Sequence, residues 1–593
     1  MVYGFDFGTT NSLISVIENG RLRKFLDPDR LSPIPSVVCY EGTEILVGYR
    51  AKLRIAKPGG GVYGNIVKSP KMFLGRNTLH VDGVARSVVD VVADVLRGVV
   101  KESRIDRTVE SVVATIPIDF DARQRRDLRA AFQAAGIRVR QFIHEPLAAL
   151  YGYLRGSGSA EAVGQQLDRK TVLVFDWGGG TLDLTLCRVE SGHVTQLVNA
   201  GTDLVGGDQF DEVIKKAVIN RVRSKRALGP EVECRLDAER SLHFACERLK
   251  IDLSSGDSAT VFVDNFFTNT RSSEISETVS RVELQTMTDA LIREGLRSID
   301  GVLERARLSP SQIDLCLATG GMLGTPAIRT RLAEKFGSDR VHLTESIGAA
   351  ISEGAAWIAH DRATLTLARD VELSLARQSH LKVIQSGAAM PLEGAAHRDT
   401  VSVYCVDPRD GKAQFTISTP DVLSRVVNAS DKRRHLGHFS LPVEPSKDPF
   451  FERLEFEVEV DQDLMLTCKA TSTLTGASAS CTVADLEFGL RLGGGVSAAD
   501  ATTSPTRARQ SIEGVSDVWA GAQAGEIGVR SNLEKDKGHW DSVPGELRHE
   551  VRLFDFNTLI TDGATQVQRE EMTRYKPCGR CGKRWGECRC RTG

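Results

Sequence analysis

The sequence contains two similar segments whose residue types suit phosphate binding. Residues 5–10 read FDFGTT, and residues 175–183 read FDWGGGTLD. Each follows a short apolar run, turns on small residues that let backbone N–H groups approach an anion, and carries an Asp suited to holding a metal-bound water. Two copies separated by about the length of one lobe indicate internal duplication of an α/β unit, not a short solenoid repeat. The pattern predicts a triphosphate held between two related lobes.

Size and composition limit the class of protein. The chain has 593 residues, is 41% hydrophobic and carries a formal net charge of −2, which leaves room for three or four domains with ordinary cores. No long basic run supports nucleic acid binding. The N-terminus enters a strand pattern at residues 2–5 without a signal peptide, and no window approaches ~18 apolar residues. We therefore expect a cytoplasmic protein with no membrane partner.

The first 360 residues alternate apolar runs with helical stretches. Residues 111–116 and 171–175 are β-rich, whereas residues 122–135 and 345–360 are helical in pattern. This alternation is typical of an α/β domain, here assigned to residues 1–360. Residues 361–371 follow as an interdomain linker with an apolar stripe that includes Leu365 and Leu367.

Beyond the linker the hydrophobic period changes to two. Residues 454–460 alternate apolar residues with Glu, and residues 464–468 repeat the pattern after a polar turn, which predicts a hairpin. Residues 401–405 and 415–417 flank a Pro-Arg-Asp-Gly turn and predict a second hairpin. A β-sandwich over residues 372–492 follows.

The C-terminal part has a different character. Residues 493–575 are polar, rich in Gly, Ser, Thr and Asp, and are expected to be loop or partly disordered. Residues 576–593 contain four closely spaced cysteines whose thiolates suit a tetrahedral structural Zn²⁺ site. The alternative is redox-active or disordered cysteines. The four are Cys578, Cys581, Cys588 and Cys590; the other eight cysteines are scattered through apolar or alternating segments and are expected to be buried thiols.

Over roughly residues 1–490, the order of motifs resembles that of the DnaK-type 70-kilodalton heat-shock chaperones of the actin-like ATPase superfamily. Besides the two phosphate loops, the motifs are KMFLGR at 71–76, IHEPLAA at 143–149, GGDQFD at 206–211, CERLK at 246–250 and TGGM at 319–322. The resemblance implies a multidomain fold: an actin-like α/β ATPase domain of two duplicated lobes, an all-β substrate-binding sandwich and here a small four-cysteine zinc-knuckle tail. The family's charged helical lid has little counterpart in residues 493–575.

The resemblance also implies roles for individual residues. Asp6 and Asp176 would orient waters around Mg²⁺, and Lys71 would lie beside the γ-phosphate of ATP and the attacking water. Glu145 and Asp183 would complete the polar cluster around that water, which suits the charge neutralisation that phosphoryl transfer needs. Further nucleotide contacts would come from Gly8, Thr9, Thr10, Gly178, Gly179, Gly180, Thr181, Gly206, Gly207, Gly320 and Gly321.

The adenosine end departs from the family pattern. Glu247, Lys250 and Ser254 fall at the ribose and adenine positions, but Ile251 replaces the adenine-stacking arginine. A second arginine near the base is also missing, because the segment after Gly321 reads MLG. Pro117 and Arg125 match the family's relay between nucleotide site and linker.

The resulting hypothesis is an ATP-dependent chaperone that captures and releases extended apolar peptide segments of unfolded clients. The resemblance implies a J-domain co-chaperone and a nucleotide exchange factor as partners. The alternatives are an actin-like ATPase scaffold or filament protein, against which the hairpins beyond the linker count, and a sugar kinase, for which no catalytic Asp stands out.

Overall fold

A computed structural model describes residues 1–55, 64–156, 165, 167–190, 192–344, 348–375, 379–421, 431–447, 451–492 and 527–529. The N-terminal strands are β1 (Tyr3–Phe7), β2 (Asn11–Glu18), β3 (Arg21–Phe25), β4 (Ile34–Pro35), β5 (Val37–Glu41), β6 (Glu44–Val47), β7 (Ile66–Lys68), β8 (Thr78–Val81), β9 (Val84–Ser87), β10 (Ser111–Ile116) and β11 (Arg138–His144). The next group comprises β12 (Thr171–Trp177), β13 (Leu182–Glu190), β14 (His193–Thr202), β15 (Ser258–Val263), β16 (Ile275–Ser280), β17 (Leu315–Thr319) and β18 (Val341–Leu343).

Helices cover both groups of strands. They are α1 (Tyr49–Ile55), α2 (Val88–Glu102), α3 (Ala122–Ala134), α4 (Glu145–Gly156), α5 (Gly207–Arg226), α6 (Leu236–Ser255), α7 (Arg281–Ala306), α8 (Pro326–Phe336) and α9 (Ala350–Asp361). The expected helix over 122–135 is confirmed as α3. The helix expected over 345–360 begins only at Ala350, because Gly348 and Ala349 form a turn, while residues 345–347 lie outside the described part. None of the described helices combines the length and apolar character that a membrane crossing requires.

The two large sheets of this α/β region repeat one topology. The strand order is β11-β10-β1-β2-β3 in the first and β18-β17-β12-β13-β14 in the second. In each, the strand that leads into a phosphate loop pairs antiparallel with the next strand and parallel with a later one. Every residue of β1 and β12 is buried, as central strands covered on both faces require. The predicted duplication of one α/β unit is confirmed.

The remaining strands are β19 (Leu365–Leu367), β20 (Val371–Ser374), β21 (His380–Ile384), β22 (His397–Cys405), β23 (Lys412–Pro420), β24 (Arg433–Pro442), β25 (Arg453–Val460), β26 (Leu466–Ser472), β27 (Ser478–Val483), β28 (Phe488–Arg491) and β29 (Ile527–Val529). Most of them form two sheets, ordered β21-β20-β23-β24 and β27-β26-β25-β22-β29. Phe415 stacks on Phe439 of its own sheet and on Phe456 of the other, with centroids 4.9 and 5.4 Å apart. These rings fill the core of the predicted β-sandwich.

One predicted hairpin is confirmed and the other is wrong. β25 and β26 pair antiparallel, with Val458 opposite Cys468. The strands around the turn at 408–411 form as predicted, yet β22 pairs with β25 while β23 pairs with β20 and β24. The turn therefore carries the chain from one sheet to the other. Alternation predicts a strand and its buried face but not its partner, because both sheets of a sandwich have an inward face.

The predicted linker lies in the second large sheet. β19 pairs antiparallel with β28, and β28 pairs with β14. Leu365 and Leu367 are 0% and 2% exposed, so the apolar stripe of the linker is buried. The last strand of residues 372–492 thus extends a sheet of the α/β region, which joins the two regions through backbone hydrogen bonds.

The C-terminal predictions fall almost wholly outside the described residues. Within 493–575 the structure describes only β29, which pairs parallel with β22. The four cysteines proposed as zinc ligands, Cys578, Cys581, Cys588 and Cys590, lie outside the described part. Of the other eight cysteines, six are buried, Cys234 and Cys481 are partly exposed, and all are free thiols.

Candidate functional site

The two phosphate loops face each other across the interface between the lobes. A Cβ added to Gly179 would lie 2.0 Å from Oγ1 of Thr10, and one added to Gly180 would lie 2.4 Å from Cγ2 of Thr9. Only glycine fits at such separations. Oγ1 of Thr10 is buried without a hydrogen-bond partner among the described residues. The two loops therefore pack directly against each other, with the Thr9 and Thr10 side chains against the glycine backbone of the second loop.

The other predicted glycines lie in or next to these two loops. The N–H of Gly207 donates to the carbonyl of Gly178 at 3.2 Å, so the start of α5 supports the second loop. A Cβ on Gly206 would lie 2.4 Å from the backbone of Gly180. Gly320 has φ of 95°, and a Cβ there would lie 2.5 Å from Oδ1 of Asp176. Two further predicted glycines complete the set: Gly8, where a Cβ would lie 2.2 Å from the carbonyl oxygen of Asn11, and Gly321, where nothing lies within 4 Å.

Lys71 and Glu145 form a buried ion pair at the first lobe. Lys71 lies in a short 3-10 segment, Pro70–Phe73, and Glu145 is the first residue of α4. Nζ of Lys71 donates to Oε1 of Glu145 at 2.6 Å, although the residues are 74 positions apart. The pair is 2% and 6% exposed. Removing either partner would leave an uncompensated buried charge.

Two carboxylates, one from each loop, lie near this pair. Asp6 and Asp176 end β1 and β12 and are 8% and 6% exposed. Burial, with the negative charge of Glu145, raises the pKa of Asp6 to about 7, against the opposing effects of Lys71 and a Thr115 hydrogen bond. Burial, Glu145 and Asp6 raise the pKa of Asp176 well above its usual value. Crowded carboxylates of this kind stay ionised when a cation compensates them.

Asp183 presents a carboxylate oxygen that the protein leaves unpaired. Oγ1 of Thr181 donates to Oδ2 of Asp183 at 2.9 Å, while Oδ1 is buried with no hydrogen-bond partner in the described part of the chain. Burial and the nearby charge of Glu145 raise the pKa of Asp183 well above its usual value. Since buried polar atoms normally have a partner, Oδ1 indicates a place for a water or ligand donor.

Asp119 borders the same cluster and was not predicted. A Cβ on Gly201 would lie 3.2 Å from Oδ1 of Asp183 and 3.7 Å from Oδ2 of Asp119. Desolvation and the charge of Glu145 raise the pKa of Asp119. In the sequence, Asp119 stands two residues after Pro117, just beyond the buried strand β10. A polar residue in such a place usually indicates only a turn.

The three residues predicted to contact adenosine, Glu247, Lys250 and Ser254, lie on α6. Salt bridges hold the first two in place. Oε1 of Glu247 is 2.7 Å from Nζ of Lys52 on α1, so the pair spans the two lobes. Although burial acts in the opposite direction, Lys52 holds the pKa of Glu247 below its usual value. Nζ of Lys250 lies 2.7 Å from Oδ1 of Asp211 and 2.9 Å from the carbonyl oxygen of Gly207. Lys250 therefore connects α6 to the glycine turn beside the second loop.

A small pocket of about 30 Å³ opens beside these residues. Ile251 is 56% exposed and does not line it. Arg281, the first residue of α7, lines the pocket. Its Nη2 donates to the carbonyl of Gly256 at 2.7 Å. No sequence motif indicates Arg281, because it lies on a different helix from Glu247, Lys250 and Ser254. The lining residues are Lys250, Leu253, Ser254, Arg281, Leu284, Gln285, Thr325, Pro326 and Ala327.

Arg125 connects the α/β region to the sandwich. A capping box formed by Asp121 and Gln124 starts α3 and places Arg125 in its first turn. Arg125 is 1% exposed. Its Nη1 donates to the carbonyl of Leu464 at 3.2 Å and its Nη2 to that of Ala484 at 3.3 Å. Burial lowers the pKa of Arg125 to about 10, so the guanidinium remains charged at neutral pH.

A chain of contacts leads from the Lys71 and Glu145 pair to these interdomain bonds. Nζ of Lys71 lies 5.4 Å from the ring centroid of Phe120, whose carbonyl accepts a 2.9 Å bond from Nε of Arg125. His144, the residue before Glu145, lies 5.3 Å from the Phe488 ring of β28. Sequence reasoning identified Arg125 but not His144, whose partner is distant in sequence.

Comparison with known proteins gives a consistent result. A family profile described as Hsp70 protein matches residues 2–95 and 79–490. The chaperone protein DnaK of Mycoplasmopsis agalactiae is 30% identical over 361 residues, which cover 60% of this chain and 58% of that protein. The DnaK of Mycoplasma mycoides subsp. mycoides SC is 29% identical over 334 residues, covering 55% and 54%. The chain thus spans little more than half the length of these two relatives.

A fungal relative matches over a longer range. A heat shock protein of Pyricularia oryzae is 26% identical over 526 residues, which cover 81% of each chain. The family profile likewise extends through both the duplicated α/β lobes and the β-sandwich. The chain therefore belongs to the Hsp70 family.

Proposed function

We propose that this chain is an ATP-dependent chaperone that hydrolyses ATP between its two lobes. The observation that carries the proposal is the buried Lys71 and Glu145 pair, which lies with three further carboxylates beside two glycine-rich loops. Phosphoryl transfer to water needs neutralised charge, an aligned nucleophile and firmly held phosphates. These residues supply each of the three.

Lys71 provides the positive charge beside the γ-phosphate and the attacking water. Glu145 holds the ammonium group at 2.6 Å and compensates its burial. Asp183 accepts a hydrogen bond from the water through its unpaired Oδ1, while Thr181 fixes the other oxygen. A fixed acceptor and a fixed cation orient the water for in-line attack.

Asp6 and Asp176 fit a magnesium ion held through water. Burial and the neighbouring negative charges raise the pKa of both carboxyls, a crowding that a divalent cation would relieve, and Mg²⁺ in nucleotide sites usually keeps several waters. When bound, this ion would neutralise charge on the phosphates. Backbone and hydroxyl groups of the loops would hold the phosphates themselves: Gly8, Thr9, Thr10, Gly178, Gly179, Gly180, Gly206, Gly207, Gly320 and Gly321.

The base and ribose would lie over the mouth of the small pocket beside α6. Glu247 and Lys250 are held by salt bridges at its ribose side, and Ser254 lies on its wall. Arg281, held by the carbonyls of Leu253 and Gly256, would place a cationic group near the base where Ile251 has none. Since a cation beside an aromatic ring contributes about 0.5–2 kcal/mol, adenine binding does not depend on the missing arginines.

The nucleotide state would act on the sandwich through Arg125 and the linker. Arg125 bonds to backbone carbonyls on both sides of the β26–β27 hairpin, and β19 and β28 extend the sheet of the second lobe. A change in lobe closure moves both contacts together, as coupling between sites requires. The sandwich would bind extended apolar segments of unfolded polypeptides through backbone hydrogen bonds.

We also propose partner proteins and a cellular location for this chain. A J-domain co-chaperone and a nucleotide exchange factor would act on this chain in the cytoplasm, as the resemblance to the DnaK-type chaperones implies. The first test is phosphate release from ATP by the purified chain with Mg²⁺ and with EDTA. We expect turnover only with Mg²⁺. Turnover that is equal in EDTA, or absent under both conditions, would refute the proposed hydrolysis.

A further inference from the structure

Two cysteines of the sandwich lie directly opposite each other. Cys468 of β26 and Cys481 of β27 are paired residues of an antiparallel ladder. Both are free thiols, with Cys468 0% exposed and Cys481 partly exposed. Opposite residues on one face have Cβ atoms about 4.5–5.5 Å apart, and a disulfide needs about 3.5–4.5 Å. A local approach of about 1 Å is enough to join them.

The surroundings of Cys481 favour reaction at that sulfur. A Cβ added to Gly437 of β24 would lie 3.1 Å from its Sγ, so the absence of a side chain at Gly437 leaves room for the sulfur. Interaction with the neighbouring Cys468 thiol lowers the pKa of Cys481 despite its partial burial. A partly exposed thiolate is the usual target of oxidants, whereas buried thiols are inert.

Other cysteines of the described chain lack this combination. Cys187, Cys316 and Cys405 are 0% exposed, and burial raises the pKa of each thiol. They fit the simple interpretation of a thiol that serves as a small hydrophobe. The opposed pair therefore differs from them: Cys481 is partly exposed, has a lowered pKa and faces a second thiol, which a role as a small hydrophobe does not explain.

The pair also lies in the hairpin that contacts the α/β region. Leu464 precedes β26 and Ala484 follows β27, and both accept hydrogen bonds from Arg125. Leu466 and Val483, the next inward-facing pair of the ladder, separate the thiols from this interface. A covalent link between Cys468 and Cys481 would fix the hairpin close to the contact through which the two regions communicate.

We propose that Cys468 and Cys481 are a reversible modification site, which hydrogen peroxide converts to an intramolecular disulfide. The Cys481 thiolate attacks one peroxide oxygen; the O–O bond breaks, and the departing hydroxide takes a proton to become water. The resulting sulfenic acid is attacked by the Cys468 sulfur. An S–S bond forms, and the displaced hydroxide combines with the proton of Cys468. Two thiols are oxidised by two electrons while one peroxide is reduced to two waters.

The test uses the full reduced chain treated with hydrogen peroxide, then alkylated and digested with trypsin without reductant. Cleavage after Lys469 separates the cysteines, so a disulfide joins peptides 454–469 and 470–491. We expect this linked pair, lighter by two hydrogens than the sum of its parts, and we expect dithiothreitol to abolish it. Failure to find the link, or irreversible oxidation of Cys481 alone, would overturn the proposal.

Matched variants distinguish the Cys468–Cys481 disulfide from non-native disulfides that form in unfolded chains. Cys481→Ser and Cys468→Ser should each abolish the linked peptides, whereas Cys405→Ser in the same sandwich should retain them. Hydrogen exchange gives a second readout: oxidation should slow amide exchange across residues 466–483 in the wild type and leave Cys481→Ser unchanged. Equal exchange before and after oxidation of the wild type would show that the bond does not constrain the native hairpin and would contradict its proposed position.

Discussion

Lys71 and Arg125 are both fully buried cations, 2% and 1% exposed, yet their partners differ in kind. Lys71 is paired with the carboxylate of Glu145 at 2.6 Å. Among the described residues, the hydrogen-bond acceptors of Arg125 are backbone carbonyls, those of Phe120, Asp463, Leu464 and Ala484. Lys71 has a carboxylate as its direct partner, whereas Arg125, within the described part of the chain, bonds only to carbonyl dipoles and feels the charges of Asp461, Asp463 and Asp485 without bonding to their carboxylates.

The two kinds of hydrogen-bond partner suit two different functions. A charge held by a buried carboxylate stays in one place, which suits stabilisation of charge that develops during a reaction. A guanidinium bonded to carbonyls on another domain can exchange those bonds for water when the domains separate, without leaving a partner carboxylate buried. The comparison therefore predicts that Lys71 controls the chemical step and Arg125 controls coupling.

Lys71→Ala should give the largest effect. Nucleotide binding should persist, because the loops and Glu247 remain, while hydrolysis should fall by about 10²–10³ as the charge in the transition state is lost. Single-turnover hydrolysis measures the rate, with Lys101→Ala on the exposed side of α2 as the control. A rate within about twofold of the wild type, far below that loss, would disprove the assignment.

Arg125→Ala should leave basal hydrolysis intact and remove most of the acceleration of peptide release by ATP. Coupling of this kind is typically about 5- to 150-fold, and we expect Leu365→Asp in the linker to lose it as well. The neighbouring Arg126→Ala is the matched control, since Arg126 is exposed and its Nε bonds within its own helix to Ala122. Normal ATP-triggered release in both Arg125→Ala and Leu365→Asp would show that coupling follows another route.

The affinity for Mg²⁺-nucleotide should fall in acid. Because the pKa of Asp6 is raised to about 7, this carboxyl is protonated below that pH and must lose a proton when the cation binds. Affinity should therefore drop by about tenfold per pH unit for each proton released, measured by calorimetry at about pH 8 and about pH 6. Asp90→Asn on the exposed face of α2 should leave this dependence intact, and equal affinities at both pH values would contradict it.

Removal of zinc from the C-terminal cysteines should have the smallest effect on activity. We expect one zinc ion per chain bound by Cys578, Cys581, Cys588 and Cys590, lost in the Cys578→Ser and Cys588→Ser double variant. Hydrolysis and peptide binding should be unchanged by chelation, because the knuckle lies more than 80 residues beyond β28 in sequence. Metal analysis that finds no stoichiometric zinc in the reduced chain would refute the site.

Local patterns predicted the parts of the molecule that depend on neighbours in sequence. The buried strands β1 and β12, the alternation in β25 and the helix α3 follow directly from hydrophobic period. The family motif located Lys71 and Glu145 although they lie 74 positions apart, because each carries its own short flanking pattern. Periodicity alone would not have paired them.

Strand partners and contacts between residues distant in sequence could not be predicted from local patterns. β28 has the pattern of a sandwich strand, yet it joins β14 and the linker, since strand partners depend on tertiary packing. Arg281 lines the pocket beside α6 from a helix with no nucleotide motif. Asp119 resembles a turn residue until the fold brings it near Asp183.

The central claim is that the nucleotide bound between the lobes controls peptide binding by the sandwich. The most direct measurement is the dissociation rate of a labelled, extended apolar peptide from the full chain with Mg²⁺-ATP and with Mg²⁺-ADP. We expect release to be faster with ATP by at least about fivefold, the lower end of typical coupling. Equal release rates in the two nucleotides, or no peptide binding in either, would contradict the account.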